Sequence, residues 1–272
     1  MTETERYVYS GHAIGAAARF HRLYKAKNLN HIIPTQGVSA LPTTGGLSKS
    51  EVSHYCFAVD QPRRLKLVCF RRITTLADGK ERGDRFETEV DAEIDSIEIV
   101  DKLQIGLVKA HLLSTRKKGD QTPSVSTKGN RIQGMYLGAV EARITLDEEP
   151  LSAGPTQERL GEFYKKQNTK YRLKNSWRFN TSPDAPEIAE YSGYYKYSLV
   201  KEIKLVGPEK EREKITVDGY TIKWEGFGRI VLAEVLVKGN ERRLSMVRLA
   251  MGSDAEGDST IGEGQSNGHI SS

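Results

Sequence analysis

Two stretches of this chain repeat one pattern: a period-2 segment, a polar or glycine break, and a second period-2 segment. Ile94-Asp95-Ser96-Ile97-Glu98-Ile99 runs over a short polar link into Leu103 to Leu112. Val217-Asp218-Gly219-Tyr220-Thr221-Ile222 runs over Gly226-Phe227-Gly228 into Ile230 to Leu236. A looser copy runs from Ile132 through Gly134 and Leu137 to Ile144. Successive side chains of a strand point to opposite faces, so alternation with a break marks antiparallel hairpins. The expectation is a mostly β protein, an antiparallel hairpin-built sandwich or twisted sheet with one short helix.

Other segments fit that frame. Tyr7-Val8-Tyr9 opens a strand. Gly11 to Phe20 holds alanines that suit a helix, but its two glycines and bordering aromatics suit a closely packed strand, the preferred reading. Pro34 to Gly37 and Pro42 to Gly46 punctuate a loop-rich stretch. Tyr55 to Val59 and Leu65 to Thr75 read as strands, and Asp78-Gly79 is a hairpin dipeptide leading into a longer loop. Arg116 to Asn130 is polar and reads as a mobile loop. One helix is expected from Thr156 to Gln167, where Leu160, Phe163 and Tyr164 share a face and Thr156 can cap. Glu209 to Lys214 reads as a solvated hairpin tip, and Arg243 to Met251 alternates once more.

The 272 residues suffice for one β-rich domain over residues 1–251, with a soft boundary near 150–185. Residues 252–272 carry Asp254, Glu256, Asp258 and Glu263 with no Lys or Arg, amid Gly and Ser, and are expected to be a disordered acidic tail. Removing those four carboxylates from the net +5 leaves +9 on residues 1–251. A basic body attracts phosphate or an anionic membrane surface. No secretory signal and no membrane-length apolar run stand out, so the expected compartment is cytoplasmic.

Chemistry-bearing spacings are scarce. Cys56 and Cys69 can face each other across adjacent strands and bond, but buried free thiols are the preferred reading. The histidines show no His-x-His or His-x-x-x-His pattern, so no metal site is expected. His54 and Cys56 share a strand face, which could mimic a nucleophile and its base, but nothing supplies an orienting third group. Glu87, Glu89, Asp91, Glu93 and Asp95 line one face at period 2. That row could serve acid-base or calcium chemistry, but the preferred reading is the wet face of a strand with Phe86, Val90, Ala92 and Ile94 inward. Gly226-Phe227-Gly228 lacks the third glycine of a dinucleotide loop, and no Walker lysine motif occurs. No catalytic residues and no cofactor are expected.

The strongest candidate surface is basic and aromatic. Lys165, Lys166, Lys170, Tyr171, Arg172, Lys174, Trp177 and Arg178 crowd one stretch. Cations neutralise phosphates while aromatic faces stack on unpaired bases, which suits single-stranded nucleic acid. The same mix suits an anionic bilayer. Tyr194, Tyr195 and Tyr197, with Tyr191, form a second cluster, a recognition patch if exposed and sheet core if buried.

The order of Tyr9 to Phe20, Pro34 to Gly46, Glu93 to Leu113 and Val217 to Val237 resembles bacterial β-rich proteins described as choice-of-anchor P-like. The resemblance covers most of the chain and rests on pattern. It implies an interaction or surface role and brings no catalytic residues. Such proteins are generally exported, and the missing signal departs from that.

These readings converge on a non-enzymatic binding or assembly protein whose partner is another protein or a second copy. Edge strands and the two surfaces above would make its contacts. One rival is a membrane-active, pore-forming β protein restrained by its acidic tail. The other is single-stranded nucleic-acid binding.

Overall fold

A computed structural model of the chain describes residues 6–23, 31–59, 64–120, 122–148, 195–252, 255–266 and 268–271, with positions 152, 155, 156, 158, 159 and 162. The described residues form an antiparallel β sandwich.

The first sheet is built from β4 (Gly46–Val59), β5 (Leu65–Arg82), β6 (Arg85–Ile99), β7 (Leu103–Lys117), β8 (Ser124–Ser126), β9 (Arg131–Leu137), β10 (Val140–Leu146) and β12 (Val200–Val206). Its order is β12-β10-β9-β7-β6-β5-β4, with β8 added on β7. The second sheet takes β2 (Gly11–Leu23), β3 (His31–Ala40), β11 (Tyr195–Ser198), β13 (Ile215–Asp218), β14 (Thr221–Trp224), β15 (Gly228–Lys238), β16 (Glu241–Gly252) and β17 (Ala255–Ser266). Its order is β13-β14-β15-β16-β17-β2-β3, with β11 added on β15. A small pair, β1 (Arg6–Val8) with β18 (His269–Ser271), completes the strands. One turn of helix, α1 (Glu209–Arg212), sits where a solvated hairpin tip was expected.

The alternation read in the sequence sets the faces. Along β6, Phe86, Thr88, Val90, Ala92 and Ile94 are buried while Glu87, Glu89, Asp91, Glu93 and Asp95 are half-exposed. The β6–β7 turn puts Val100 and Asp101 at φ 53° and 49°, with Lys102 N–H donating to Ile99 O. Two successive positive φ angles make a primed turn, which matches strand twist. Ile132 to Ile144 is the hairpin β9–β10. Val217 to Ile222 is not one arm but a hairpin corner itself, because β13 pairs β14 across Gly219 and Tyr220.

β2 is the closely packed strand its glycines suggested. A side chain at Gly15 would stand 2.2 Å from Ile73 Cγ2 and 2.8 Å from Gln36 O. Only glycine lets β2 lie this close to β5 and β3.

Several expectations are corrected. The stretch with Pro34 and Gly37 is strand β3, tolerated because an edge strand can host proline. Asp78-Gly79 lies inside β5, and the turn comes at Gly83, φ 61°. Gly79 instead makes room for Tyr9, since a Cβ there would lie 2.8 Å from Tyr9 Cδ1. The polar stretch Arg116 to Asn130 contributes β8 and buries Val125, Thr127 and Asn130.

The largest correction concerns the acidic tail. Its residues Ala255 to Ser266 are β17, paired with β16 on one side and β2 on the other. Glycine and serine are there because the facing sheet brings its bulk close. Cβ atoms at Gly262 and Gly264 would lie 2.9 Å from Val108 Cγ1 and 3.2 Å from Val90 Cγ2. Small residues that look like disorder by composition complete a core filled from β6 and β7. The acid is also placed: Glu263, 5% exposed, accepts from Arg243 Nη2 at 2.6 Å and from Ser245 Oγ at 3.1 Å.

Cys56 and Cys69 are disulfide-bonded rather than buried free thiols. Register places them directly opposite on β4 and β5, with Cα atoms 4.0 Å apart. One contiguous apolar core spans both sheets, from Phe20 and Ile73 to Leu232 and Met246. β10 and β12 pair across the stretch proposed as a soft boundary, so chain on both sides of it shares the first sheet.

Candidate binding edges

β3 and β4 are consecutive in the chain, yet each ends a different sheet. Together they form one flank of the sandwich. β3 lies over the inner face of β5, where Ser39 Oγ and Thr75 Oγ1 share a buried 2.8 Å hydrogen bond. Among the described residues, β4 has β5 on one side and no strand on the other.

The first half of β4 is the regular half. Gly46 to Ser53 pair residue by residue with Gly79 to Arg72. His54 then takes φ 53°, and the register shifts once, between Phe57 and Ala58. Such irregularities twist an edge away from further pairing. Among the described residues no strand pairs with the outer backbone donors and acceptors of Gly46 to Ser53. Leu47, Lys49, Glu51 and Ser53 are exposed on one face, and Ser48, Ser50 and Val52 are half-buried on the other.

Apolar exposure gathers on the same flank. Among the described residues the exposed large hydrophobic side chains are Ile32 (64%), Val38 (48%) and Leu47 (61%) on β3 and β4, with Tyr136 (42%) on β9 and Val217 (36%) on β13. The half-covered Val52, Tyr55 and Phe57 pack on the core from beyond its edge. Tyr55 stacks on Phe70 with ring centroids 5.1 Å apart. Burial also raises the Tyr55 phenol above its ordinary pKa. The Cys56–Cys69 bond ties the far half of β4 to β5.

The outer face of the first sheet carries the row of carboxylates, and it is paired. Arg82 reaches Glu87 at 3.1 Å, Lys109 reaches Glu93 at 3.5 Å, and Arg72 reaches Asp95 at 3.0 Å. The basic partners sit on the flanking strands β5 and β7, as cross-strand charge pairing favours. In the middle, His111 Nδ1 lies 2.8 Å from Asp91 Oδ1 and 3.9 Å from Glu89 Oε1. Ligand-type atoms of Glu89, Asp91 and His111 all fall within 4.8 Å of one another. The His111 imidazole pKa is raised above its ordinary value, first by the Asp91 hydrogen bond, against the opposing pull of burial.

The sign of this coupling is testable. A histidine with a raised folded pKa stabilises the fold fully below its unfolded pKa, and the contribution is lost as pH rises through the folded pKa. Asp91→Asn will bring the His111 titration down toward the ordinary histidine value, read by NMR of the imidazole protons. An unchanged titration would show that Asp91 does not set it.

The residues singled out in the sequence fare unevenly. Lys165, Lys166, Lys170, Tyr171, Arg172, Lys174, Trp177, Arg178 and Tyr194 lie outside the described residues. Glu158, Arg159 and Glu162 are helical, and Arg159 N–H donates to Thr156 Oγ1 at 3.3 Å, the N-cap bond expected of Thr156. Tyr195 pairs with Val237 on β11, its side chain undescribed. Tyr197 is 3% exposed, so it belongs to the core and not to a surface patch. Pairing with β15 turns it inward. His54 and Cys56 form no nucleophile and base pair, because Cys56 is bonded to Cys69. Lys49 and Glu51 were not singled out in the sequence. Their segment is rich in serine, and only the alternation Leu47, Lys49, Glu51, Ser53 marks it.

No curated protein matches the chain. No solved structure matches it either. One family model, described as Domain of unknown function (DUF8256), matches residues 7–238, which run from β1 to the end of β15. That match spans most of the 272 residues, and the chain belongs to the DUF8256 family.

Proposed function

We propose that this protein is a non-enzymatic assembly protein that self-associates by antiparallel pairing of β4 with β4 of a second copy. The observation that carries the reading is the ladder Gly46 to Ser53, which pairs in register with β5 on one side, has no strand on the other among the described residues, and carries one cation and one anion on its exposed face. An isologous pair has a two-fold axis, so each residue meets its symmetry equivalent. With the axis at Ser50, Lys49 of each copy faces Glu51 of the other, and Leu47 faces Ser53. Moving the axis to Lys49 or to Glu51 stacks like charges. Each matched pair contributes about 0.2–1 kcal/mol and each clash costs a similar amount. Charge thus selects one register.

Exposed Leu47 on β4 supplies apolar area for the second copy to cover. The Cys56–Cys69 bond keeps the edge strand seated on β5. Disulfides persist in oxidising surroundings, which favours an oxidising compartment over the cytoplasmic default. The pore-forming alternative fits less well. Opening the β6–β7 hairpin would strip Val90, Ile94, Val108 and Leu112 from the core.

Sedimentation velocity over a concentration series tests the reading. Wild type should dimerise. Glu51→Lys should weaken dimerisation about tenfold or more, by turning both attractions into repulsions. Adding Lys49→Glu to it should restore the dimer. A protein that stays monomeric throughout, or variants that all behave like wild type, would exclude β4 self-pairing.

A further inference from the structure

One end of the sandwich holds a polar cleft of about 660 Å³, lined by Arg85, Lys117, Arg159, Asp120 and the hydroxyls of Thr115, Thr122, Ser124 and Ser152. That volume lies within the usual range for small-ligand sites. Three cations and four hydroxyls face one carboxylate. The remaining nearby acid, Asp84, is shared at arm's length, 3.7 Å from Arg85 Nε and 3.7 Å from Lys117 Nζ. Among the described residues neither cation has a closer acid partner.

Two arginines buried behind the wall hold the cleft's shape. Arg116, 7% exposed, donates from Nε to Asp120 O at 2.7 Å. Arg242, 1% exposed, donates from Nε to Pro155 O at 2.6 Å. Both acceptors belong to residues of the cleft lining. Each loop framing the cleft is thus pinned from inside by a guanidinium. Buried charges of this kind are costly unless paired. Arg242 Nη2 is buried and has no hydrogen-bond acceptor among the described residues. Burial lowers the Arg242 pKa to about 10, while the nearby Tyr7 and Tyr197 phenols pull the other way. It remains a cation at neutral pH. Among the described residues no acid forms an ion pair with Arg242.

We infer that this cleft binds an oxyanion of the phosphate class, gripped by Arg85, Lys117 and Arg159 and oriented by the surrounding hydroxyls. Guanidinium and ammonium donors with hydroxyls are the groups that charge-assisted binding of phosphate oxygens uses. The site stands at the end of the sandwich formed by β6, β7 and β8 and does not involve β4.

Titration of the full chain with inorganic phosphate, followed by amide NMR, tests the inference. Saturable shifts should centre on Asp120, Thr122 and Ser124. Arg85→Ala with Lys117→Ala should weaken binding about tenfold or more, as loss of charge-assisted hydrogen bonds does. Arg131→Ala, an exposed cation on β9 far from the cleft lining, should leave binding unchanged. Thermal melts of each variant confirm that the fold persists. Glycerol phosphate and anionic phosphatidylglycerol vesicles run as parallel arms. Glycerol phosphate binding as well as inorganic phosphate, at the same amides, would show that the cleft accepts a headgroup ester. Vesicle binding without binding of either small anion would overturn the cleft, as would equal loss in Arg131→Ala or an absence of saturable shifts.

Discussion

Truncation after Met251 will abolish the fold. The removed residues include β17, which lies between β16 and β2 in the second sheet and pairs with both along nearly its whole length. Its loss orphans the ladder hydrogen bonds of two strands and uncovers Val90, Val108 and Ile94, which pack against Gly262 and Gly264. It also strips Arg243 and Ser245 of Glu263. A domain is stabilised by only about 5–15 kcal/mol in total, so deleting a central strand exceeds the margin. The truncated chain should show no cooperative thermal transition and should aggregate through the two long apolar edges it bares. Truncation after Ser266 removes only β18, whose partner is the three-residue β1, and should leave a cooperative transition at a lower midpoint. Circular dichroism melts of both chains decide the matter. A truncation at Met251 that melted like the full chain would mean that β17 is dispensable.

Gly15→Val is the second large effect. The Cβ alone would approach Ile73 Cγ2 to 2.2 Å and the backbone Gln36 O to 2.8 Å. Ile73 is fully buried and β-branched, so it has little freedom to yield. The backbone oxygen belongs to β3 and cannot move without shifting that strand. Overpacking of this kind costs typically 1–3 kcal/mol and more where backbone blocks the way, and a loss of about 3 kcal/mol or more is expected in urea denaturation. Gly15→Ala should cost less. Combining Gly15→Ala with Ile73→Ala should cost less than the two separate losses added, because the second change vacates the space the first one needs. Strict additivity would show that the two residues do not share that space.

Much of this fold was legible because its long strands alternate strictly. Phe86, Val90, Ala92 and Ile94 were assigned inward and the five carboxylates outward from spacing alone, and β6 lies that way. The glycines of β2 also read correctly, since a glycine in a strand signals a close backbone approach. Gly262 and Gly264 obey the same rule. There, acid, glycine and serine together looked like a solvated tail, and nothing local says that Val90 and Val108 fill the space opposite. Asp78-Gly79 misled for a similar reason. The dipeptide favours a turn, but Tyr9 packs against Gly79 and holds the strand straight. The cysteine pairing depended on register, which separation in sequence does not supply. The edge at Gly46 to Ser53 was hidden by its serines and by the glycine pair before it. An edge is a property of sheet order, and that order emerges only when β3 crosses to the other sheet.

The most direct test of β4 self-pairing is cross-linking through a cysteine placed on the two-fold axis. Opposed residues of an antiparallel pair have Cα atoms about 4.5–5.5 Å apart, within reach of a disulfide. Ser50→Cys should therefore oxidise to a covalent dimer in high yield at low concentration. Ser48→Cys, which would face Val52 of the other copy, should not. A dimer from Ser50→Cys alone is the expected result. Equal yields from both variants, or none from either, would contradict antiparallel pairing of β4 about Ser50.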